Sequence, residues 1–344
     1  MLRNLVVFLM LASLAFGQQR RPQRPRTLDI YWIDVEGGAA TLIISPTGES
    51  MLVDTGFPGQ EDRDAKRIAQ AAVTAGLSRI DHLLITHYHA DHVGGVPAIA
   101  KLVPIRNFYD HGPNIETDPR TAKFFDDYVA LAKNKRNSLI PGDKLSLGNI
   151  ELTIVSSAGK VIPNRLERGF FTTRCDNPQQ KPADTTENSQ SVGFLLTYNK
   201  FSFLDLGDLT WDREMELACP VNKIGEVTLL QATHHGFSNG QSGNPALINS
   251  LRPQVVVVNN GARKGFSNGG YEAIQQIPDL QDIWQGHVGE SNDAAHNTAQ
   301  DKIANLSGAA TEDKGYWIKA SIAADGSFTI TNARNNYSQT YNVR

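Results

Sequence analysis

The chain has 344 residues, 40% of them hydrophobic, and a formal net charge of −3. That is enough material for one large domain or two small ones, and it excludes collagen-like or wholly disordered classes. A near-neutral balance gives no support for a general nucleic-acid-binding surface, which needs excess positive charge.

The first residues have three parts. Arg3 is followed by the apolar run Leu5 to Phe16, and Ala15 and Gly17 put small residues where a signal peptidase would cut. Residues 1–17 are therefore expected to be a cleavable signal peptide, with cleavage near Gly17 and a secreted or periplasmic product. No later stretch reads as a transmembrane helix. Residues 18–27, rich in Gln, Arg and Pro, read as a flexible leader. Residues 28–344 are expected to form one folded domain. Cys175 and Cys219 fit no zinc-binding spacing. In an oxidising compartment they could bridge, and sequence alone leaves that open.

Strands are predicted over residues 28–35, 40–45 and 50–54, with a turn at Pro46-Thr47-Gly48. Helical spacing follows over 63–75, through Ala65, Ile68, Ala72 and Val73. A short apolar strand over 81–86 leads into a loop, His87 to Gly95, and then a helix near 96–102. A helix is expected around 122–132 and a strand over 150–156. Residues 159–190 are polar, with Pro, Asn and Thr, and read as a long surface loop. Strands are predicted again at 191–198, 201–205, 227–232 and 253–259, with a short helix at 246–250. A last hairpin, 316–322 with 327–331, turns at Asp325-Gly326. Strand pairs mixed with helices indicate an α/β class with mixed sheets.

The densest chemistry lies in Thr86-His87-Tyr88-His89-Ala90-Asp91-His92, where three histidines and one aspartate fall within six positions. Imidazole and carboxylate suit zinc, and also manganese or iron. In an extended segment His87 and His89 face one side. A turn after them can aim Asp91 and His92 at a neighbouring point, so one loop can serve two metals.

This string resembles the metal-binding loop of the metallo-β-lactamase superfamily, and other segments agree in order. Leu52-Val53-Asp54-Thr55-Gly56 is similar to the motif whose aspartate braces that loop. Leu206-Gly207-Asp208 is similar to the motif whose aspartate bridges both metals. Thr233-His234-His235-Gly236 is similar to the one that supplies the last histidine. Asp34-Val35-Glu36-Gly37-Gly38-Ala39-Ala40 and Glu187-Asn188-Ser189-Gln190-Ser191 further resemble the hydrolase domain of DNA-uptake competence proteins and secreted phosphorylcholine esterases.

The resemblance implies a four-layer αββα sandwich with two mixed sheets, and two divalent metal ions, zinc first with manganese as the alternative. The implied ligands are His87, His89, Asp91, His92, Asp208 and His235, with Asp54 as the brace. Asp91, Asp208 and His234 are the implied catalytic residues, His234 contacting substrate or protonating a leaving group. His235 is favoured over its neighbour as ligand. The implied reaction is attack on an ester by a water whose pKa the cations lower. The expected substrate is a phosphodiester or phosphorylcholine-type ester, with nucleic acid not favoured. Lactone, carboxylic ester or β-lactam hydrolysis is the alternative, and a non-catalytic binding protein is the alternative of another class.

Three departures stand out. Gly37 and Ala39 replace a Gln and an Asp of that branch. Residues 264–271 hold no histidine. None lies between His111 and His234 either, which leaves the first metal with His87, His89, Asp208 and water, assisted by Asp184 or Asn188. His111 and His287 are expected mainly as exposed loop residues, with lining the pocket as the alternative. Arg165, Arg168 and Arg174 are expected on a solvated face, with contact to an anionic substrate as the alternative.

Overall fold

The computed structural model describes residues 27–172, 175, 179–237, 240–306 and 314–344. The segment read as signal peptide, the leader up to residue 26, and Arg174 lie outside the described residues.

In chain order the strands are β1 (Leu28–Trp32), β2 (Thr41–Ile44), β3 (Ser50–Val53), β4 (Ile80–Leu84), β5 (Ile105–Asp110), β6 (Arg136–Ser138), β7 (Lys144–Leu147), β8 (Ile150–Ser157), β9 (Lys160–Val161), β10 (Phe170–Phe171), β11 (Gly193–Tyr198), β12 (Phe201–Asp205), β13 (Val221–Asn222), β14 (Leu229–Gln231), β15 (Val255–Val258), β16 (Asp282–His287), β17 (Ile303–Asn305), β18 (Ile318–Ile322), β19 (Phe328–Asn332) and β20 (Ser338–Tyr341). The helices are α1 (Arg63–Thr74), α2 (Ala90–Val93), α3 (Val96–Leu102), α4 (Pro119–Ala132), α5 (Trp211–Ala218), the left-handed turn α6 (Thr233–Phe237), α7 (Pro245–Leu251) and α8 (Asn268–Gln275).

Among the described residues two large mixed sheets dominate. One runs β20-β19-β18-β1-β2-β3-β4-β5-β6 and the other β17-β16-β15-β14-β12-β11-β8-β7, with β9 added beside β8. Side-chain alternation explains the layering. Leu28, Ile30 and Trp32 of β1 enter the core between the sheets, together with Phe201 and Phe203 of β12 and Val255 and Val257 of β15. Tyr31 packs outward with Ile68 of α1, Ile99 of α3 and Tyr128 of α4. Leu204, Val256 and Val258 pack outward with Leu217 of α5 and Leu247 of α7. The result is the expected four-layer αββα sandwich. The all-valine β15 is apolar on both faces because it is buried on both, between parallel partners β14 and β16. Polar ties cross the inner core: Gln231 Oε1 accepts Trp32 Nε1–H at 2.8 Å and Thr41 Oγ1–H at 2.9 Å, and Trp284 Nε1–H donates to the Tyr341 hydroxyl at 3.0 Å.

The long polar segment is more ordered than its composition suggested. It contains β9, β10 and a short 3-10 turn, Glu187–Gln190. A Cys175–Cys219 disulfide ties it to the end of α5. Lys181 lies 3.8 Å from the centroid of the Trp211 ring. No described helix is long and apolar enough to cross a membrane.

Candidate metal centre

Strand ends from both sheets meet at one rim of the sandwich. Asp54 follows β3 and His87 to His92 follow β4, a parallel pair. Asp208 follows β12, the two histidines follow β14, and Lys264 follows β15, in a run of parallel neighbours. Clefts outside the carboxyl ends of parallel strands are where such sheets present side chains to ligands.

The metal loop is held from behind. Tyr88 points away from its neighbouring histidines, its hydroxyl donates to Gly112 O at 2.6 Å, and its ring packs 4.6 Å from Phe125. Arg136, paired with buried Asp110 at 2.5 Å, donates to the same Tyr88 oxygen. Asp54 braces the loop from below in a left-handed conformation, φ 60°. Its Oδ1 accepts Thr86 N–H at 2.8 Å, and its Oδ2 takes Thr86 Oγ1 at 2.8 Å and His92 Nδ1 at 2.7 Å. Gly38 must be glycine for the loop to close, since a Cβ there would lie 2.6 Å from Asp91 O.

The imidazoles converge on one atom. Asp208 Oδ2 lies 3.3 Å from His92 Nε2, 3.4 Å from His234 Nε2, 3.4 Å from His235 Nε2 and 3.9 Å from His87 Nε2. Asp91 Oδ2 lies 3.4 Å from His92 Nε2 and 3.2 Å from His235 Nε2. Ligand atoms of Asp91, His92, Asp208 and His235 all fall within 4.8 Å of one another. Beside them His87 Nε2 and His89 Nδ1 are 3.0 Å apart. His89 Nε2, on the far side of its ring, is 3.4 Å from Glu116 Oε1, and His87 Nδ1 is 3.1 Å from Thr86 Oγ1. Partners on the outward nitrogens of His87, His89 and His92 fix which nitrogen faces the cluster, as metal-binding imidazoles require.

Both members of the histidine pair thus reach Asp208. Each adopts a left-handed backbone, φ 54° at His234 and φ 58° at His235, a strained geometry that clusters at functional sites. His234 retains 9% side-chain exposure against 1% for His235, so it is the one open to a bound molecule.

The charges are strongly coupled. Burial works against ionising Asp91, but His92, His235 and Lys264 outweigh it and hold the carboxyl well below its usual range. Burial likewise opposes ionisation of Asp208, and His235, His234 and His92 overcome it. Burial lowers the basicity of His92, yet Asp208, Asp54 and Asp91 together pull it well above the ordinary imidazole value. Burial leaves His87 and His234 low. Two carboxylates facing this many imidazoles, with few other partners, make a donor set that fits divalent cations.

Other sequence-based expectations need correction. His111 and His287 are buried rather than exposed. His111 Nε2 pairs with Glu187 Oε1 at 2.6 Å, and the other Glu187 oxygen takes Ile115 N–H at 3.3 Å. His287 Nε2 pairs with Asp34 Oδ1 at 2.7 Å, and Arg67 pairs with the other Asp34 oxygen at 2.5 Å. These two pairs anchor the turns that flank the metal loop. Arg165 and Arg168 are exposed, in line with the solvated face expected for them; Arg165 donates to Gly169 O, and Arg168 donates to Ser202 Oγ at the start of β12, the end opposite Asp208. Asp184 caps Thr186 N–H at 2.7 Å. Asn188 Oδ1 is buried without a hydrogen-bond partner. Sequence reasoning missed Glu116 and Lys264, whose ammonium pairs with Asp91 Oδ2. An isolated surface-type residue on a distant loop carries no spacing signal.

Residues 33–150 match the family model described as the metallo-beta-lactamase superfamily. Over those residues the chain carries a metallo-β-lactamase superfamily domain. Its matched region spans β2 to β7, ends at the first residue of β8, and includes Asp54 and the whole loop from His87 to His92. The chain is 24% identical over 276 residues to Recombination protein 2 of Haemophilus influenzae, covering 79% of this chain and 29% of that protein. It is 33% identical over 93 residues to a metal-dependent hydrolase of Cupriavidus metallidurans, covering 26% of this chain and 30% of that protein. The matched parts therefore make up less than a third of either relative. Among solved structures, the metallo-beta-lactamase fold protein YhfI from Bacillus subtilis aligns with a TM-score of 0.45 and 12% identity, over 75% of this chain and 96% of that one.

Proposed function

We propose that the protein is an exported hydrolase that holds two divalent cations, zinc or manganese, and cleaves an ester, most favourably a phosphodiester or phosphorylcholine-type ester. The observation that carries this reading is the meeting of His87, His92, His234 and His235 on Asp208 Oδ2, beside Asp91. His87, His89 and Asp208 would hold one cation, and Asp91, His92, Asp208 and His235 the other. Bound there, the cations supply Lewis acidity and a hydroxide nucleophile near neutral pH.

The remaining steps belong to the chain's own groups. Asp208 presents one oxygen to imidazoles of both halves of the site and would serve either cation. Asp54, Thr86 and Glu116 hold three imidazoles in the required tautomer. His234, partly open to the cleft, is placed to contact the substrate or to give a proton to a leaving oxygen. Export is supported by the N-terminal sequence pattern and by the disulfide, which suits an oxidising compartment.

The test is a panel of chromogenic phosphodiester, phosphomonoester, lactone and β-lactam substrates, assayed with zinc and with manganese. The phosphodiester should be turned over fastest, and His89→Ala should abolish turnover while leaving the circular dichroism spectrum intact. Faster lactone or β-lactam turnover would move the substrate assignment. No turnover at all with metal bound would leave a binding protein on this fold.

A further inference from the structure

Lys264 sits in the loop after β15, and its ammonium forms an ion pair with Asp91 Oδ2. The same oxygen faces His235 Nε2 at 3.2 Å and His92 Nε2 at 3.4 Å, so it points to where a cation would be held. The Lys264 side chain is 40% exposed against 12% for Asp91, which puts the ammonium on the solvent side of the cluster. Its Nζ lies 5.2 Å from the centroid of the Phe57 ring, which comes from the loop after β3.

The backbone beneath Lys264 is fixed, and its tip is held only through the ion pair with Asp91 and the contact with Phe57. Lys264 O accepts Gly261 N–H at 3.0 Å. A Cβ on Gly37 would lie 2.9 Å from Lys264 Cβ, so the loop is pressed against the glycine turn that follows Asp34. From this anchor the long side chain can swing about its rotatable bonds without moving the loop.

A dication on Asp91 Oδ2 and an ammonium on the same oxygen repel each other. A metal held there would therefore drive the ammonium off the ligand oxygen and towards the cleft, where it would stand on the open side of the site without its carboxylate partner. We propose that Lys264 selects substrates carrying an anionic oxygen next to the scissile ester, by forming a charge-assisted hydrogen bond to it. A phosphodiester carries such an oxygen on the attacked phosphorus, and a carboxylate adjoining an ester presents the same chemistry. This inference rests on the hydrolase reading above and names the substrate class it admits.

The experiment compares zinc-reconstituted wild type, Lys264→Met and Lys264→Arg. Turnover is measured on an anionic ester, bis(para-nitrophenyl) phosphate, and on a neutral one, para-nitrophenyl acetate. Zinc content and the affinity for inorganic phosphate are measured on the same samples. Lys264→Met should lower the ratio of kcat/KM for anionic over neutral ester about tenfold, mainly through KM, as expected for loss of a hydrogen bond to a charged group. Phosphate affinity should fall by a similar factor, zinc content should hold, and Lys264→Arg should recover most of both. An equal loss on both esters, or a fall in zinc content, would overturn the proposal and leave Lys264 as a support for Asp91. If wild type cleaves neither ester, the ester-hydrolase reading fails by itself, and the phosphate titration still decides for Lys264. Unchanged phosphate affinity in Lys264→Met would then refute it.

Discussion

Replacing Asp54 by asparagine probes how the metal loop is held. Asp54 and His92 are each about 1% exposed, and the carboxylate takes three contacts, from Thr86 N–H, Thr86 Oγ1 and His92 Nδ1. Asparagine retains one acceptor oxygen, which can keep the Thr86 N–H. Its NH2 group then faces Thr86 Oγ1 and His92 Nδ1, two groups that now meet a donor in place of an acceptor. To accept from that NH2, His92 must carry its proton on Nε2, the atom that faces Asp91 and Asp208. A protonated Nε2 cannot bind metal. Loss of a group that orients a metal-binding imidazole costs about 10–100-fold in affinity, which is about 1.4–2.8 kcal/mol. Zinc titration against a competing chromophoric chelator separates the two binding steps. The step involving His92 should weaken by that factor. The step involving His87 and His89 should weaken less, because Asp54 reaches His87 only through Thr86 Oγ1. Two unchanged binding constants in a folded Asp54→Asn protein would refute the reasoning.

Three further outcomes follow from the charges and the covalent frame. Metal uptake should release protons and weaken as pH falls, because His92 is pulled above its ordinary basicity in the metal-free site and must lose its proton to bind; calorimetry in buffers of different ionisation enthalpy reads this directly, and pH-independent affinity would count against it. Burial pushes the Glu214 carboxyl up to about 8 from an unfolded value near 4.5. The folded state therefore holds this proton after the unfolded state has lost it, so this group's contribution to stability falls as pH rises from 4.5 towards 8. Glu214→Gln should accordingly raise the melting temperature more at pH 8 than at pH 4.5, and an equal effect at both would contradict that assignment. Opening the Cys175–Cys219 bridge, which spans 44 positions, should cost up to about 4 kcal/mol by the chain-entropy argument. Denaturant unfolding of Cys219→Ser, compared with the oxidised protein, measures it.

The sequence made the main contacts of the site legible because they are local or sit at strand ends. His87 to His92 is one loop, and Asp54, Asp208 and His234-His235 each close an apolar run that reads as a strand. Helix α1 and the strands β1 to β4 were recognisable from period and turn residues, with ends displaced by one to a few positions. Strand β5 was not, because Ile105-Arg106-Asn107-Phe108-Tyr109-Asp110 mixes polar and apolar residues without clean alternation. Its place is set by parallel pairing with β4. Helix α8 begins Asn268-Gly269-Gly270, a poor helical sequence, and forms because Ser267 caps Gly270 N–H and Ile274 packs on the second sheet. The burial of His111 and His287 depends on acids distant in sequence, Glu187 and Asp34, and pairings over such separations leave no local pattern. Lys264 and Glu116 are missed for the same reason.

Metal stoichiometry tests the central claim most directly. Elemental analysis of zinc-reconstituted protein should give two cations per chain in wild type. In Asp208→Ala, which removes the oxygen on which four imidazoles converge, it should give fewer than one, with the fold retained. A wild-type chain that takes up no metal, or an Asp208→Ala chain that still holds two, would contradict the account.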